Sequence, residues 1–215
     1  MGDREVELKL VLDSLAEMER LREALGPRVT RLEQSNFYFD TADDALARHR
    51  WALRCRNEDG RIILTLKGEG HHEDGFAVRV ELERPLSDAA WVGIVRGEFD
   101  LASEIASLLA ESEHSLPADV DLQTLETIGS ISNVRSVHRL PGQGAPLMVD
   151  LDETEYPDFS LAYEVELEVP EDEDRKKAAD RLRAVFEQAG VAWRPSETTK
   201  YARLRKLLEE MSARA

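Results

Sequence analysis

The chain has 215 residues, with 44 Asp and Glu against 28 Lys and Arg, for a formal net charge of −16. Hydrophobic residues make up 42% and charged residues 33%, a balance that suits a folded domain and excludes a disordered one. No apolar run is long enough for a membrane helix or a signal peptide, the single Cys55 excludes an internal disulfide and fits a reducing, cytoplasmic setting, and the acid excess argues against a nucleic-acid partner.

Residues 5–11 alternate, with Glu5, Glu7 and Lys9 on one face and Val6, Leu8 and Leu10 on the other, the period-two pattern of a half-buried strand. Ser14 caps a predicted helix over Leu15–Leu25 that Gly26-Pro27 stops. Residues 36–40 form an aromatic strand. Residues 51–56 set Trp51, Leu53 and Cys55 opposite Arg54 and Arg56, and the Asp59-Gly60 hairpin signal leads into a strand over 62–67 that ends in Lys67. The segment 68–75, carrying His71-His72, reads as a loop with no third metal ligand near it in sequence. Residues 76–83 place Phe76, Val78, Val80 and Leu82 against Arg79, Glu81 and Glu83. Ser87 opens a helix over 88–99, and a second covers 101–109. A weaker strand over 131–140 carries Arg135 and Arg139, and 147–152 alternates Leu147, Val149 and Leu151 with Asp150 and Asp152.

Between Asp150 and Asp174 there are 12 acidic residues and no basic one, the composition of a solvated tail. Within it, however, residues 161–169 alternate apolar and acidic, which predicts a strand with a carboxylate face. Helices over Arg175–Ala189 and from Ser196 to about Met211 complete the chain. With about eight strands, no internal repeat and no separating linker, the expectation is one α+β domain over residues 1–215.

Both signs of charge gather on the polar strand faces, while the opposite faces are uniformly apolar and helices are available to cover them. Eight antiparallel strands of this kind close into a barrel with a charged lumen. Interleaved Arg, Lys, Asp and Glu suit a polyanion held together with divalent cations: Arg forks onto phosphate oxygens, and carboxylates offer hard oxygens to Mg²⁺. The competing reading is a set of solvated ion pairs with no ligand.

Glu5-Val6-Glu7-Leu8-Lys9 resembles the E-x-E-x-K signature of the CYTH superfamily, the triphosphate tunnel metalloenzymes. The order of later motifs strengthens the resemblance: Phe37-Tyr38-Phe39-Asp40-Thr41, Leu53-Arg54-Cys55-Arg56, Thr65-Leu66-Lys67, Arg79-Val80-Glu81-Leu82-Glu83, Val149-Asp150-Leu151-Asp152, Glu164-Val165-Glu166, and Lys200 on the last helix. It runs from Glu5 to about Leu208 and is nearest to the CYTH module of bacterial inorganic triphosphatases. It implies an eight-stranded closed antiparallel tunnel, covered by helices and closed by a C-terminal plug helix, with no helical CHAD module.

The resemblance also implies the chemistry. Lys9, Arg54, Arg56, Lys67, Arg79, Arg135 and Lys200 would grip phosphates; Glu5, Glu7, Asp150, Glu164 and Glu166 would hold Mg²⁺ or Mn²⁺; and Glu164, Glu166 and Lys67 would carry catalysis. The implied reaction is hydrolysis of inorganic triphosphate, with thiamine triphosphate hydrolysis, class IV adenylate cyclisation or non-catalytic polyphosphate or nucleotide binding as alternatives. The protein would act on inorganic triphosphate or a triphosphorylated small molecule, as a monomer or homodimer, without nucleic-acid or membrane partners. Cys55 and His138 read as packing residues, Asp40 as a strand cap or a substrate contact, and Asp152 and Glu168 as ligands or solvated acids at a tunnel mouth. Glu81 and Glu83 read as partners of neighbouring arginines.

Overall fold

The computed structural model describes residues 4–196 and 198–214. Eight strands run β1 (Arg4–Leu12), β2 (Arg28–Thr41), β3 (Ala52–Glu58), β4 (Arg61–Glu73), β5 (Phe76–Leu86), β6 (Leu125–Arg139), β7 (Met148–Glu155) and β8 (Leu161–Glu168). They close into a barrel in the order β1-β5-β4-β3-β2-β6-β7-β8, every pair antiparallel. The helices are α1 (Leu15–Leu25), α2 (Ala45–Arg48), α3 (Asp88–Arg96), α4 (Leu101–Ala110), α5 (Arg175–Ala189) and α6 (Lys200–Ser212), with a short 3-10 turn at Leu122–Thr124.

Closure follows from where the apolar faces point. Leu8 and Leu10 of β1, Val149 and Leu151 of β7, and Val165 and Leu167 of β8 look outward and are covered by Met18 and Leu21 of α1 and Leu182 and Phe186 of α5. On the other side, Leu53 and Cys55 of β3 and Leu64 and Leu66 of β4 lie under Ile94 of α3 and Ile105 of α4. Each fully covered leucine contributes about 2 kcal/mol. A third apolar cluster sits inside the barrel. Tyr38 and Ile131 there share the inward parity and pack against Tyr201 and Leu204 of α6, so α6 plugs that end.

Local signals place the helix ends. The Ser14 and Ser87 side chains accept hydrogen bonds from the amides of Glu17 and Ala90, and Thr199 caps α6 through the amide of Ala202. The last helix therefore starts at Lys200 rather than Ser196, whose amide instead donates to the carbonyl of Lys9 as an extended segment running against β1. α3 stops at Arg96, because Gly97 takes φ 69° as its C-cap.

Three strands outrun their sequence pattern. β2 begins at Arg28 and β6 at Leu125, and the first half of β2 is exposed, so no covered face marks it. The segment 68–75 is no loop: β4 continues to Glu73 and turns at Asp74-Gly75 into β5. His71 and His72 therefore sit on a paired strand, opposite Val78 and Ala77. A bulge between Lys67 and Gly70 shifts this pairing. Gly70 is required at the bulge, since a Cβ there would lie 2.5 Å from the Val78 carbonyl oxygen.

Candidate tunnel site

The lumen holds a cavity of about 680 Å³ that runs from Leu32, Ile63 and Val137 at one end to Trp51, Thr199 and Tyr201 at the other. Nine carboxylates and ten basic side chains line it, close to neutrality, in a chain whose formal charge is −16. The acid excess therefore lies on the exterior, and bulk charge says little about what the interior binds.

Strand register sets the charged pairs. Lys9 of β1 stands opposite Glu166 of β8, which stands opposite Asp150 of β7. Arg135 of β6 stands opposite Asp152, which stands opposite Glu164. Glu5 faces Arg79, and Lys67 faces Glu81. On the far wall Arg56 faces Asn36, and Arg54 faces Thr65.

These registers build two carboxylate patches. In the first, Lys67 Nζ donates to both Glu5 oxygens at 2.8 and 2.9 Å and also meets Glu81 at 2.9 Å. Arg79 Nε donates to Glu5 at 2.7 Å and its Nη2 to Glu7 at 3.1 Å. Burial pushes the Glu5 carboxyl up, but Lys67 and Arg79 outweigh it and hold the group well below its usual range. Glu7 is left short. Burial, together with Glu166 and Glu5, outweighs Lys9 and raises it from 4.5 to about 7.

In the second patch, Arg135 donates to Asp152 at 2.8 and 2.6 Å, to Glu166 at 2.5 Å, and meets Asp150 at 2.6 Å. Lys200 reaches in from α6 to Asp152 at 2.9 Å, Glu164 at 2.8 Å and Glu166 at 2.6 Å. Lys9 meets Glu166 at 2.7 Å. Burial raises both Asp152 and Glu166. Arg135 and Lys200 nonetheless hold Asp152 down at about 2, and Lys200, Lys9 and Arg135 keep Glu166 well below its usual range. Asp150 again lacks compensation: burial, with Asp152 and Glu166 close by, outweighs Arg135 and raises it to about 6. Glu164 is 1% exposed, and neither of its oxygens accepts a hydrogen bond; Lys200 touches it as a charge without aligned donor geometry.

The opposite wall is short of anions. Arg56 Nε donates to Asn36 at 3.1 Å, and its nearest carboxylate, Glu58, is 3.6 Å away. Burial and the guanidinium groups of Arg54 and Arg135 lower Arg56 to about 10. Arg54 hydrogen-bonds Thr65 at 3.1 Å and reaches Glu83 only at 4.0 Å.

Of the residues that sequence assigns to phosphates and metals, all but Glu164 line this one lumen, and Glu164 is buried behind the lining in contact with Lys200. Several others join them. Asp152 is central rather than solvated at a mouth: it is fully buried and also accepts from Asn133 at 3.0 Å. Its strand spacing was visible, but its depth depends on barrel shear, which alternation does not encode. Asn36 and Gln34 are uncharged lining residues that charge patterning could not single out, and buried Thr65 links Arg54 to Glu83 behind them. Glu168 lines an exposed edge, and Glu81 pairs with Lys67.

Asp40 proves structural. Fully buried, it accepts from the amides of Leu46 and Ala47 and from Tyr201 Oη and Arg205, tying α2 and α6 to the barrel. Tyr38 faces inward and stacks on Tyr201 with ring centroids 5.2 Å apart. Cys55 is buried on the outer face, and His138 Nδ1 donates to the Gly26 carbonyl at 3.0 Å.

The donor set also tests the fit of a divalent cation. Glu7 and Asp150 are under-neutralised, Glu164 has unused buried oxygens, and all three offer the hard donors that Mg²⁺ and Mn²⁺ take. Among the described residues no three His, Cys, Asp or Glu side chains converge into a cage. That suits a cation completing its shell with substrate phosphate oxygens, which needs only one or two carboxylates.

No helix among the described residues is long and apolar enough to cross a membrane. The CYTH domain model matches residues 3–203. A Hippeastrum protein, named as an adenylyl cyclase and described as having a dominant triphosphatase activity, is 27% identical, covering 94% of this chain and 95% of its own with a TM-score of 0.77. A Bacillus halodurans protein named as an adenylate cyclase is 19% identical, with 94% and 98% coverage and a TM-score of 0.66. A Pyrococcus horikoshii protein, also 19% identical, superimposes with a TM-score of 0.59 over 96% of this chain and 99% of its own. These last two share the fold. The inward charge, the closed eight-stranded barrel and the match over residues 3–203 agree, and the chain belongs to the CYTH family.

Proposed function

We propose that this chain hydrolyses a linear triphosphate, inorganic triphosphate being the leading substrate, to pyrophosphate and phosphate with the help of Mg²⁺ or Mn²⁺. The observation that carries the reading is a pair of opposed imbalances: on one wall Arg56 is bonded to neutral Asn36 with its nearest carboxylate 3.6 Å away, while on the other Glu7 and Asp150 share Arg79, Lys9 and Arg135 with other carboxylates and stay under-neutralised. A triphosphate complexed with a divalent cation supplies both. The triphosphatase activity named for the Hippeastrum protein supports the same reading.

A bound divalent cation would be held by Glu7, Asp150 and Glu164, with Glu5 and Glu166 beside them, and would neutralise phosphate charge and acidify water. The chain's own residues supply the rest. Arg54 and Arg56 take phosphate oxygens from one wall. Lys9, Lys67, Arg79, Arg135 and Lys200 offset the charge that develops on the leaving pyrophosphate. Glu164 and Glu166 are the two carboxylates placed to accept the proton of the attacking water: Glu166 lines the cavity and is shared among Lys9, Arg135 and Lys200, whereas Glu164, behind the lining, keeps both oxygens free of hydrogen-bond donors.

The test is phosphate release from inorganic triphosphate, thiamine triphosphate and ATP, each with Mg²⁺, Mn²⁺ or EDTA. Fast, metal-dependent release from inorganic triphosphate alone is expected. Glu164→Gln and Lys67→Ala should each cut turnover by orders of magnitude in folded protein. Full activity in either variant, or release in EDTA, refutes the assignment.

A further inference from the structure

We infer that Lys200 acts as a tethered cation occupying the carboxylate patch that a divalent metal enters, so that metal entry and the freeing of Lys200 for the substrate are one exchange. This rests on the metal-dependent reading above and adds an order of events to it.

The geometry is explicit. Lys200 Nζ lies within 2.6–2.9 Å of Asp152, Glu164 and Glu166, whose side chains are at most 10% exposed. A lysine in the first turn of a helix stands against the helix dipole, and burying its ammonium costs solvation. Three carboxylates repay that cost, and removing them would leave nothing else to do so. Five carboxylates (Glu7, Asp150, Asp152, Glu164 and Glu166) share Lys9, Arg135 and Lys200, with Arg79 divided between Glu7 and Glu5 and Arg203 reaching Glu164 only at 3.9 Å. The patch thus remains short of positive charge even with Lys200 inside it, and Glu164 remains without a hydrogen-bond donor.

A divalent cation placed there carries twice the charge of the ammonium and stands close to it. Like charges at such range repel, and the ammonium is the one that can move, on a flexible four-carbon stem. Displaced from the carboxylates, it remains inside the lumen, where the remaining unpaired partner for it is phosphate. Lys200 therefore opposes metal when no triphosphate is present and favours triphosphate once metal is bound. A merely orienting role, in which Lys200 holds the carboxylates in place for the metal, has the opposite sign.

Mn²⁺ titration of the whole chain by calorimetry, without any triphosphate, separates the two. Lys200→Met is expected to lower the Mn²⁺ dissociation constant at least tenfold, about 1.4 kcal/mol. In the unaltered protein, saturating Mg²⁺ at constant ionic strength is expected to speed amide exchange over residues 200–204 while leaving α5 unchanged, a measurement that requires no variant. Unchanged or weaker Mn²⁺ binding in Lys200→Met overturns the exchange, as does unaltered protection of residues 200–204 at saturating Mg²⁺. No Mn²⁺ binding by either protein, with phosphate release still abolished by EDTA, overturns the exchange alone, whereas release that persists in EDTA overturns the metal-dependent reading on which it rests.

Discussion

Replacing Glu7 by Gln is expected to stabilise the metal-free protein at pH 8, although it removes a residue assigned to the site. Glu7 is 6% exposed, and burial plus Glu166 and Glu5 raise its carboxyl from 4.5 to about 7. At about 1.36 kcal/mol per pH unit, ionised Glu7 costs the native state roughly 3 kcal/mol relative to a carboxylate in water. Gln avoids that cost, which is already net of the nearby cations, and keeps an oxygen for Arg79 at 3.1 Å, but it buries an amide NH₂ that needs a partner of its own. The net gain expected is about 1–2 kcal/mol, or roughly 2–8 °C in melting temperature for a chain of this size. The folded value is raised, so the stability Glu7 contributes is complete below about 4.5 and is lost as pH rises through about 7. The advantage of Gln should therefore be present above pH 7 and vanish near pH 5. Thermal melts of both proteins in EDTA at pH 8 and pH 5 measure it. A variant less stable than the parent at pH 8, or a difference independent of pH, refutes the reasoning.

Asp40→Ala should cost about 3–5 kcal/mol in urea denaturation and loosen α6, because it strands two α2 amides and Tyr201 Oη and leaves Arg205 with Asp44 alone as its carboxylate. Gly70→Ala forces a Cβ to within 2.6 Å of Arg79 Cβ; a loss of about 1–3 kcal/mol is expected, together with a raised KM as Arg79 shifts, and unchanged values for both would count against the close approach. Burial pushes the Cys55 thiol up to about 12, so labelling by a disulfide reagent at pH 8 should await unfolding; rapid labelling of native protein would contradict its burial.

Alternation along β1, β3, β5 and β8 was enough to sort lumen from exterior, because each of those strands has an outer face that a helix covers and an inner one that water or substrate meets. The same logic failed for residues 28–34 and 68–73, where the outer face has no helix and stays exposed, so apolar residues are not required there. Charge identity and alternation put the candidate ligands on the inward strand faces, yet could not rank them. Whether Asp152 lies at a mouth or in the centre, and whether Glu5 or Glu7 wins Arg79 and Lys67, depends on the stagger between strands several turns of sequence apart. Asp40 read equally as a strand cap or a substrate contact, because the partners on α6 that decide its role lie 161 and 165 residues away.

The separation of charge between lumen and exterior bears on how quickly a polyanion can arrive. With the interior near balance, almost all of the formal −16 faces solvent, and a free triphosphate approaching the barrel meets a repulsive field before it meets Arg54 or Arg56. Added salt shortens the reach of that field to about 8 Å at physiological ionic strength, so encounter should speed up with salt, the reverse of a steered reaction. A triphosphate already carrying its divalent cations has less charge to be repelled. The outer surface therefore favours the fully complexed polyanion kinetically, before any residue of the lumen has touched it.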